Sequence, residues 1–128
     1  MKIYIASRWS RRIELQVIRD TLHRRGHDVM SSWIDAQRPE NPDEKFFISA
    51  EGRQRLRTDI ADLNKSDIVV ADILGGMGRR GGMMIEIGYA VGCVKPVYLV
   101  GNPVELGVFG NIFLETFPDW STMISEIL

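Results

Sequence analysis

The sequence contains a single cysteine, Cys93, so an internal disulfide is excluded. A lone thiol in apolar surroundings favours a reducing compartment over secretion, and we expect Cys93 to be a buried core residue. No apolar run reaches the roughly 18 residues that a membrane span requires, and the first residues, MKIYIAS, carry no long apolar stretch. These absences predict a cytoplasmic protein that does not use a membrane as a partner.

The sequence also lacks an excess of either charge. Sixteen basic and seventeen acidic residues leave a formal net charge of −1, which disfavours a nucleic-acid polymer as a partner. Any anion-binding patch must therefore be local. The 128 residues predict one domain, 1–128, that can bury a core without a metal or a disulfide. Neither His23 nor His27 has a ligand-like setting, so we expect no metal and no cofactor.

Strands and helices alternate along the chain. Short runs rich in β-forming residues predict strands at 2–7, 27–33, 67–73, 95–101 and, as a short fifth, 111–115. Helical patterns cover 11–26, 48–66, 83–93 and 119–128, and a charged segment with two prolines predicts a loop at 34–45. The inward faces of the first two helices are expected to carry Ile13, Val17 and Leu22, and Leu56, Ile60 and Leu63.

This alternation predicts a parallel sheet that is covered by helices on both faces, because strand-helix-strand connections are right-handed crossovers. The expected fold is a small doubly wound α/β domain, flavodoxin-like or Rossmann-like, with five strands in the order 2-1-3-4-5. Ligands of such folds bind beyond the carboxyl ends of the strands, where the strand order reverses.

Two loops are expected to meet at that point. The loop after the first strand offers hydroxyl and guanidinium groups in Ser7, Arg8, Trp9, Ser10, Arg11 and Arg12. The loop after the third strand, GGMGRRGG, contains five glycines in residues 75–82. Together they suit a sugar or a phosphate, although Ser10 as a helix cap and solvated arginines are the simpler interpretation. The second loop has no Gly-Lys-Ser/Thr and is not a convincing dinucleotide-binding motif.

Glu86 follows the glycine loop in the first turns of a helix, where the helix dipole favours the charged form of a carboxyl. A charged carboxylate in a cleft can act as a nucleophile or stabilise an oxocarbenium-like centre, or it can simply satisfy helix N–H groups. Asp59 is the second carboxyl of interest. Asp62 shares its helix face, whereas Asp67 opens the third strand at the opposite edge of the sheet and is the least suited to the site.

Three segments resemble the nucleoside 2-deoxyribosyltransferase family and its relatives, the deoxynucleoside 5′-monophosphate N-glycosidases. They are KIYIASRW, TDIADLNKSDIVVADI and GGMMIEIGYAVGCVKPVYLV, and together they cover most of the chain in order. The most specific features are an Asp eight residues before the Asp that opens the third strand, and a Gly-x-x-x-Glu-x-Gly-Tyr-Ala helix. The resemblance implies cleavage of an N-glycosidic bond, with transfer of the deoxyribosyl group to another base or to water.

The resemblance also implies roles for individual residues. Glu86 corresponds to the nucleophile that attacks C1′, and Asp59 to the aspartate that contacts the base and assists proton transfer. Asn111 corresponds to the asparagine by which a neighbouring subunit reaches the 5′ end of the sugar, which implies a homodimer or a higher homo-oligomer. Tyr4 and Trp9 are candidates to stack on the base, with an ordinary core role as an equal alternative for Tyr4, which lies on a strand. The expected substrate contacts comprise Tyr4, Ser7, Arg8, Trp9, Asp72, Arg80, Gly82, Met83 and Asn111; Met84 is a further candidate, although an ordinary core role is favoured for both methionines.

One position departs from the transferases of the family, which often carry an aspartate six residues before the nucleophile. Here that position is Arg80, beside Arg79. The change argues against base recognition of the usual transferase kind and favours a 5′-phosphate on grounds of charge. The loop does not reproduce the serines with which the monophosphate relatives bind phosphate. A lysine-decarboxylase-like phosphoribohydrolase and a nucleotide-binding module without turnover are the other interpretations.

Overall fold

A computed structural model describes residues 1–39, 41–78 and 80–128. Five parallel strands form one sheet in the order β2-β1-β3-β4-β5, which confirms the predicted topology. The strands are β1 (Lys2–Ser7), β2 (Asp28–Val29), β3 (Ile68–Asp72), β4 (Val97–Val100) and β5 (Glu115–Phe117). The helices are α1 (Arg12–Arg24), α2 (Glu44–Phe47), α3 (Ala50–Lys65), α4 (Gly82–Gly92) and α5 (Trp120–Ile127).

The central strands β1 and β3 supply the middle of the core. Residues 3–6 of β1 and all five residues of β3 are buried, as expected for strands covered on both faces. Leu15 and Leu22 of α1 are buried, whereas Ile13 and Val17 are 58% and 63% exposed. The prediction of Ile13 and Val17 as core residues was therefore wrong, because the inward face of α1 is set by Leu15 and Leu22, seven residues apart.

The second strand is shorter than the predicted 27–33. After β2 the chain enters a short 3₁₀ helix, Ser32–Asp35. Side chains take over the pairing with β1 there: the Ser31 hydroxyl bonds both backbone groups of Ile5, and Trp33 Nε1 donates to the Ile5 carbonyl at 2.9 Å. Periodicity could not reveal this exchange, because side-chain hydrogen bonds satisfy the backbone of Ile5 without continuing the strand.

Three further expectations need correction. The fifth strand lies later in the chain than the predicted 111–115 and overlaps it only at Glu115, because the 3₁₀ segment Pro103–Ile112 precedes β5. Leu56 is 60% exposed and lies off the inward face of α3. Cys93 is exposed, because it lies where α4 ends and the chain turns through Val94, whose φ is +58°. None of the described helices is both long and apolar enough to cross a membrane.

Candidate active site

The loops after β1 and β3 lie side by side at the point where the strand order reverses. Ser7 and Asp72 end these strands as register partners, and the Ser7 hydroxyl donates to the Asp72 carbonyl at 2.8 Å. The first loop leads into α1 and the glycine loop leads into α4. This is the location expected for a ligand site in an open α/β sheet.

Arginines of the first loop hold the glycine loop in place. Arg8 Nη1 donates to the Gly75 carbonyl. A Cβ at Gly75 would lie 2.8 Å from Cδ of Arg11, and one at Gly78, whose φ is +73°, would lie 3.5 Å from Cγ of Arg8. Gly75 therefore makes room for the Arg11 side chain, whereas Gly78 is required by its positive φ and borders the cavity described below. Gly82 also borders that cavity, and nothing lies within 4 Å of its added Cβ.

Asp72 lies beneath the loops and is fully buried. Its carboxylate accepts from Arg11 Nη2 at 3.1 Å, from Trp120 Nε1 at 2.7 Å and from the Leu74 backbone N–H at 3.0 Å. Asp72 does not line the cavity. The structure therefore gives Asp72 no contact with the cavity, against the prediction, and its hydrogen bonds instead hold the residues beneath the glycine loop.

A cavity of about 960 Å³ opens above these loops, near the upper end of the range for small-molecule sites. It brings together eight of the predicted residues: Ser7, Arg8, Trp9, Asp59, Arg80, Gly82, Met83 and Glu86. Tyr4, Asp72, Asn111 and Met84 are not part of its lining. Arg79 lies outside the described residues.

Glu86 enters the cavity from the second turn of α4. Burial, and after it the charge of Asp59, raise the pKa of its carboxyl to about 8 against the opposing effect of the Tyr4 hydroxyl. The helix start was expected to favour the charged form, but the net direction is toward the neutral form because burial penalises the charge. A neutral carboxyl here can ionise when a positive centre approaches.

Asp59 faces the same cavity from α3. Burial, and after it the charge of Asp62, raise its pKa to about 6, and Arg55 opposes the increase. Its rival Asp62 accepts hydrogen bonds from the backbone N–H and the hydroxyl of Ser32 and lies outside the lining. Asp67 accepts from the Lys2 backbone N–H at the start of the strands, as expected for the opposite edge. Of the three aspartates, Asp59 is therefore the one that lines the cavity together with Glu86.

Tyr4 reaches the site from below. Its side chain is fully buried in β1, so it offers no face on which a base could stack, and that expectation was wrong. The hydroxyl lies near Glu86, but it has no hydrogen bond of normal geometry to any described residue. Burial and the nearby carboxylates raise the pKa of Tyr4, which keeps its hydroxyl protonated beside Glu86.

The sequence prediction missed an aromatic wall opposite the two carboxyl groups. Trp33, Phe46 and Phe47 line the cavity together with Trp9, and the Trp9 and Trp33 ring centroids are 6.3 Å apart. Phe46 and Phe47 end α2, which begins within the predicted loop 34–45 and extends two residues beyond it. Two adjacent phenylalanines directly after a charged stretch were the feature of the sequence that could have indicated this wall.

Asn111 lies away from the cavity of its own chain. It is exposed on the 3₁₀ segment Pro103–Ile112, and its Nδ2 donates to the Val108 carbonyl at 2.9 Å. A role in catalysis would require a second copy of the chain. Within the described residues, no group of three or more His, Cys, Asp or Glu side chains could hold a metal ion.

The fold and the carboxyl pair together define a doubly wound α/β protein with an acidic site at its switch point. A family model described as nucleoside 2-deoxyribosyltransferase matches residues 3–113, and the chain belongs to that family. This membership indicates an enzyme of the glycosyltransferase or N-glycosidase kind. No curated protein matches the sequence.

Three solved structures are similar to this chain. A 2-deoxyribosyltransferase from Bacillus psychrosaccharolyticus is 25% identical, with a TM-score of 0.68 over 96% of this chain and 90% of that one. A CMP N-glycosidase from Clostridium botulinum is 16% identical, with a TM-score of 0.58 over 98% and 96%. A conserved protein from Enterococcus faecalis V583 is 15% identical, with a TM-score of 0.63 over 98% and 96%. At these identities the last two support the fold alone.

Proposed function

We propose that this enzyme cleaves the N-glycosidic bond of a 2′-deoxynucleoside, or of its 5′-monophosphate, through a covalent bond between C1′ and Glu86. The observation that supports the proposal is the carboxyl pair: Glu86 and Asp59 line one cavity and both have a raised pKa. Two carboxyl groups, one a nucleophile and one handling a proton, are the minimum set for such cleavage with retention.

In the first step, the Glu86 carboxylate attacks C1′ as the C1′–N bond breaks. Positive charge grows on the sugar ring, and the negative carboxylate stabilises it more than it stabilises the neutral substrate. The departing base takes a proton from Asp59. Because Glu86 has the higher pKa of the two, the single proton of the pair must first move from Glu86 to Asp59, and this minor form is the one that reacts. The Tyr4 hydroxyl, a donor near Glu86, helps to keep the attacking carboxylate charged.

In the second step, a nitrogen of another base, or water, attacks C1′ and gives a proton to Asp59. The bond between C1′ and Glu86 breaks, and the Glu86 carboxylate is regenerated. A base as acceptor makes the enzyme a transferase, and water makes it a hydrolase. Asn111 of a second copy would complete the sugar site. We further propose that Ser7, Trp9, Gly82 and Met83 contact the substrate, because they border the cavity around the carboxyl pair.

The test is to incubate the protein with each deoxynucleoside and each deoxynucleoside 5′-monophosphate, with and without a second base, and to follow the bases by chromatography. Base release that requires Glu86 is expected, and E86A should abolish release while substrate binding survives. Intact-protein mass spectrometry should detect a deoxyribosyl adduct on the wild type and none on E86A. Failure of every substrate to release a base would reject the proposal in favour of a binding module.

A further inference from the structure

Four arginines from separate segments gather at one side of the cavity. We call Arg12, Arg38, Arg55 and Arg80 the arginine cluster. Arg38, Arg55 and Arg80 line the cavity, and Arg12 is in contact with its aromatic wall. Their mutual proximity shows in Arg38, whose pKa is lowered by burial and then by the charges of Arg55, Arg12 and Arg80. Such a concentration of like charge is costly unless a ligand uses it.

Aromatic rings hold the guanidinium groups of the cluster. The Cζ atoms of Arg38 and Arg12 lie 4.3 Å and 4.8 Å from the Trp9 ring centroid. Arg80 lies 4.3 Å from the Phe47 centroid and Arg55 lies 5.6 Å from the Phe46 centroid. A guanidinium held over an aromatic ring in this way can still direct N–H groups at a planar acceptor.

Among the described residues, few protein acceptors face the N–H groups of the cluster. Within residues 1–39, 41–78 and 80–128, Glu51 is the one carboxylate that pairs with a member of the cluster, at 3.2 Å from Arg55 Nη2. The Nε atoms of Arg38 and Arg55 are buried and have no hydrogen-bond partner among the described residues. Buried donors without a partner cost free energy, and these arginines are therefore not satisfied by the described residues alone.

One member of the cluster lies close to Asp59. Arg55 precedes Asp59 by one helical turn on α3 and acts on its carboxyl electrostatically. Among the loop arginines expected to favour a 5′-phosphate, Arg8 and Arg11 are bonded to Gly75 and Asp72, whereas Arg80 belongs to the cluster. In the proposed function Asp59 contacts the base, so Arg55 and the cluster around it are within reach of the base.

We propose that the arginine cluster recognises the leaving base and selects 6-oxopurines, an inference that rests on the proposed function. Guanine and hypoxanthine present two acceptors, O6 and N7, to the fork of one guanidinium. Adenine and cytosine present an amino group in that place. Two donors would then face each other, and neither the amino group nor the arginine would have an acceptor. The same donors would stabilise the negative charge that develops on the base as the C1′–N bond breaks.

The experiment measures kcat/KM for deoxyguanosine, deoxyinosine, deoxyadenosine and deoxycytidine and for their 5′-monophosphates. The wild type is expected to favour the two 6-oxopurines over adenine by about tenfold to a hundredfold, the range of one bidentate contact. R38M, which keeps the length of the side chain but removes its donors, should lose most of this preference by slowing the oxopurines alone. R38K should lose nearly as much, because an ammonium lacks the fork.

Arg57 provides the matched control. It is exposed on the same helix as Arg55 and does not line the cavity, so R57M should keep the wild-type preference. Equal loss for all bases in R38M would overturn the inference. So would a loss confined to the monophosphates and independent of the base, because the cluster would then bind phosphate.

A binding measurement separates this inference from the proposed function. Hypoxanthine is expected to quench the fluorescence of Trp9 and Trp33 at concentrations about tenfold lower than adenine does, and R38M should remove the difference. Arg38-dependent preference without release of any base would uphold the inference while the proposed function fails. Equal binding of hypoxanthine and adenine by the wild type would overturn the inference even if bases are released.

Discussion

Glu86 and Asp59 face one cavity from two different helices, and their carboxyl groups titrate about two units apart, with pKa values raised to about 8 and about 6. Burial is the main cause at both positions, and the charge of Asp59 then raises the pKa of Glu86 further. Between these values the pair holds one proton and one negative charge. The proton lies mainly on Glu86, which has the higher pKa, and its transfer to Asp59 gives the form in which Glu86 can attack while Asp59 donates.

The first prediction concerns the pH dependence of activity. kcat/KM should follow a bell with limbs near pH 6 and pH 8, because a doubly protonated pair lacks the nucleophile and a doubly ionised pair lacks the acid. D59N should remove the alkaline limb and lower the pKa of Glu86, because the Asp59 charge that raises it is gone. The optimum rate should fall by about 10²- to 10⁴-fold. An unchanged bell in D59N would contradict the pairing.

The second prediction concerns stability. The native Glu86 carboxyl keeps its proton until its pKa of about 8, whereas an unperturbed glutamate, at 4.5, has already released it. The native state therefore binds more protons than the unfolded state between these values, and stability must fall as pH rises through them. E86Q should flatten this decline, so that the variant exceeds the wild type by up to a few kcal/mol at pH 8.5 and matches it near pH 4.5.

Urea unfolding at a series of pH values measures this difference. Asp59 contributes a decline of the same sign at lower pH, since its pKa is also raised, and that decline should remain in E86Q. E126Q is the control, because Glu126 is exposed on α5. A parallel decline in E86Q and the wild type would show that Glu86 is ionised in the native protein.

The strand order and the meeting of Glu86 with Asp59 were predictable, because both follow from repeating local patterns. Buried runs such as β3 and the helical spacing around them determine which elements exist, and the crossover rule then places their ends together. The family motifs then indicated which two carboxyl groups, Glu86 and Asp59, belong to one site. Their catalytic roles stay a prediction.

The aromatic wall and the arginine cluster could not be predicted, because they depend on residues 33–47. That segment has no periodicity, and Trp33, Arg38 and Phe47 come together only through tertiary packing. The raised pKa of Glu86 could not be predicted for the same reason. Position at a helix start is visible in the sequence, whereas the desolvation that outweighs it is a property of the folded cavity.

The third prediction concerns Asp72. D72A should destabilise the protein by about 3–5 kcal/mol, because it leaves the partly buried Arg11 charge and the Trp120 N–H without their acceptor. The free energy of unfolding in urea measures the effect. D67A is the control: Asp67 also accepts one backbone N–H, but it is exposed, so its loss should cost about 1 kcal/mol or less. Near-native stability of D72A with lost activity would instead favour the original expectation that Asp72 contacts substrate.

The fourth prediction concerns assembly. The 3₁₀ segment that carries Asn111 exposes a run of apolar side chains, including Val104 at 77%, Val108 at 78% and Phe109 at 66%. Contiguous apolar surface of this kind marks an interface, and we expect a second copy of the chain to cover it. F109D should therefore convert the protein to a monomer in sedimentation experiments. V94D is the control, since Val94 is 89% exposed at the far end of α4.

If Asn111 acts on the neighbouring cavity, two inactive variants should restore activity when they are mixed. In a mixed dimer of E86A and N111A, the N111A subunit keeps its own Glu86 and receives Asn111 from its partner. Random reassociation makes half of the dimers mixed, and each carries one intact site, so about a quarter of wild-type activity should return. N111A alone should remain dimeric and lose activity. Activity that stays absent in verified mixed dimers would mean that Asn111 does not act across the interface, and activity in F109D monomers would exclude any need for a second copy.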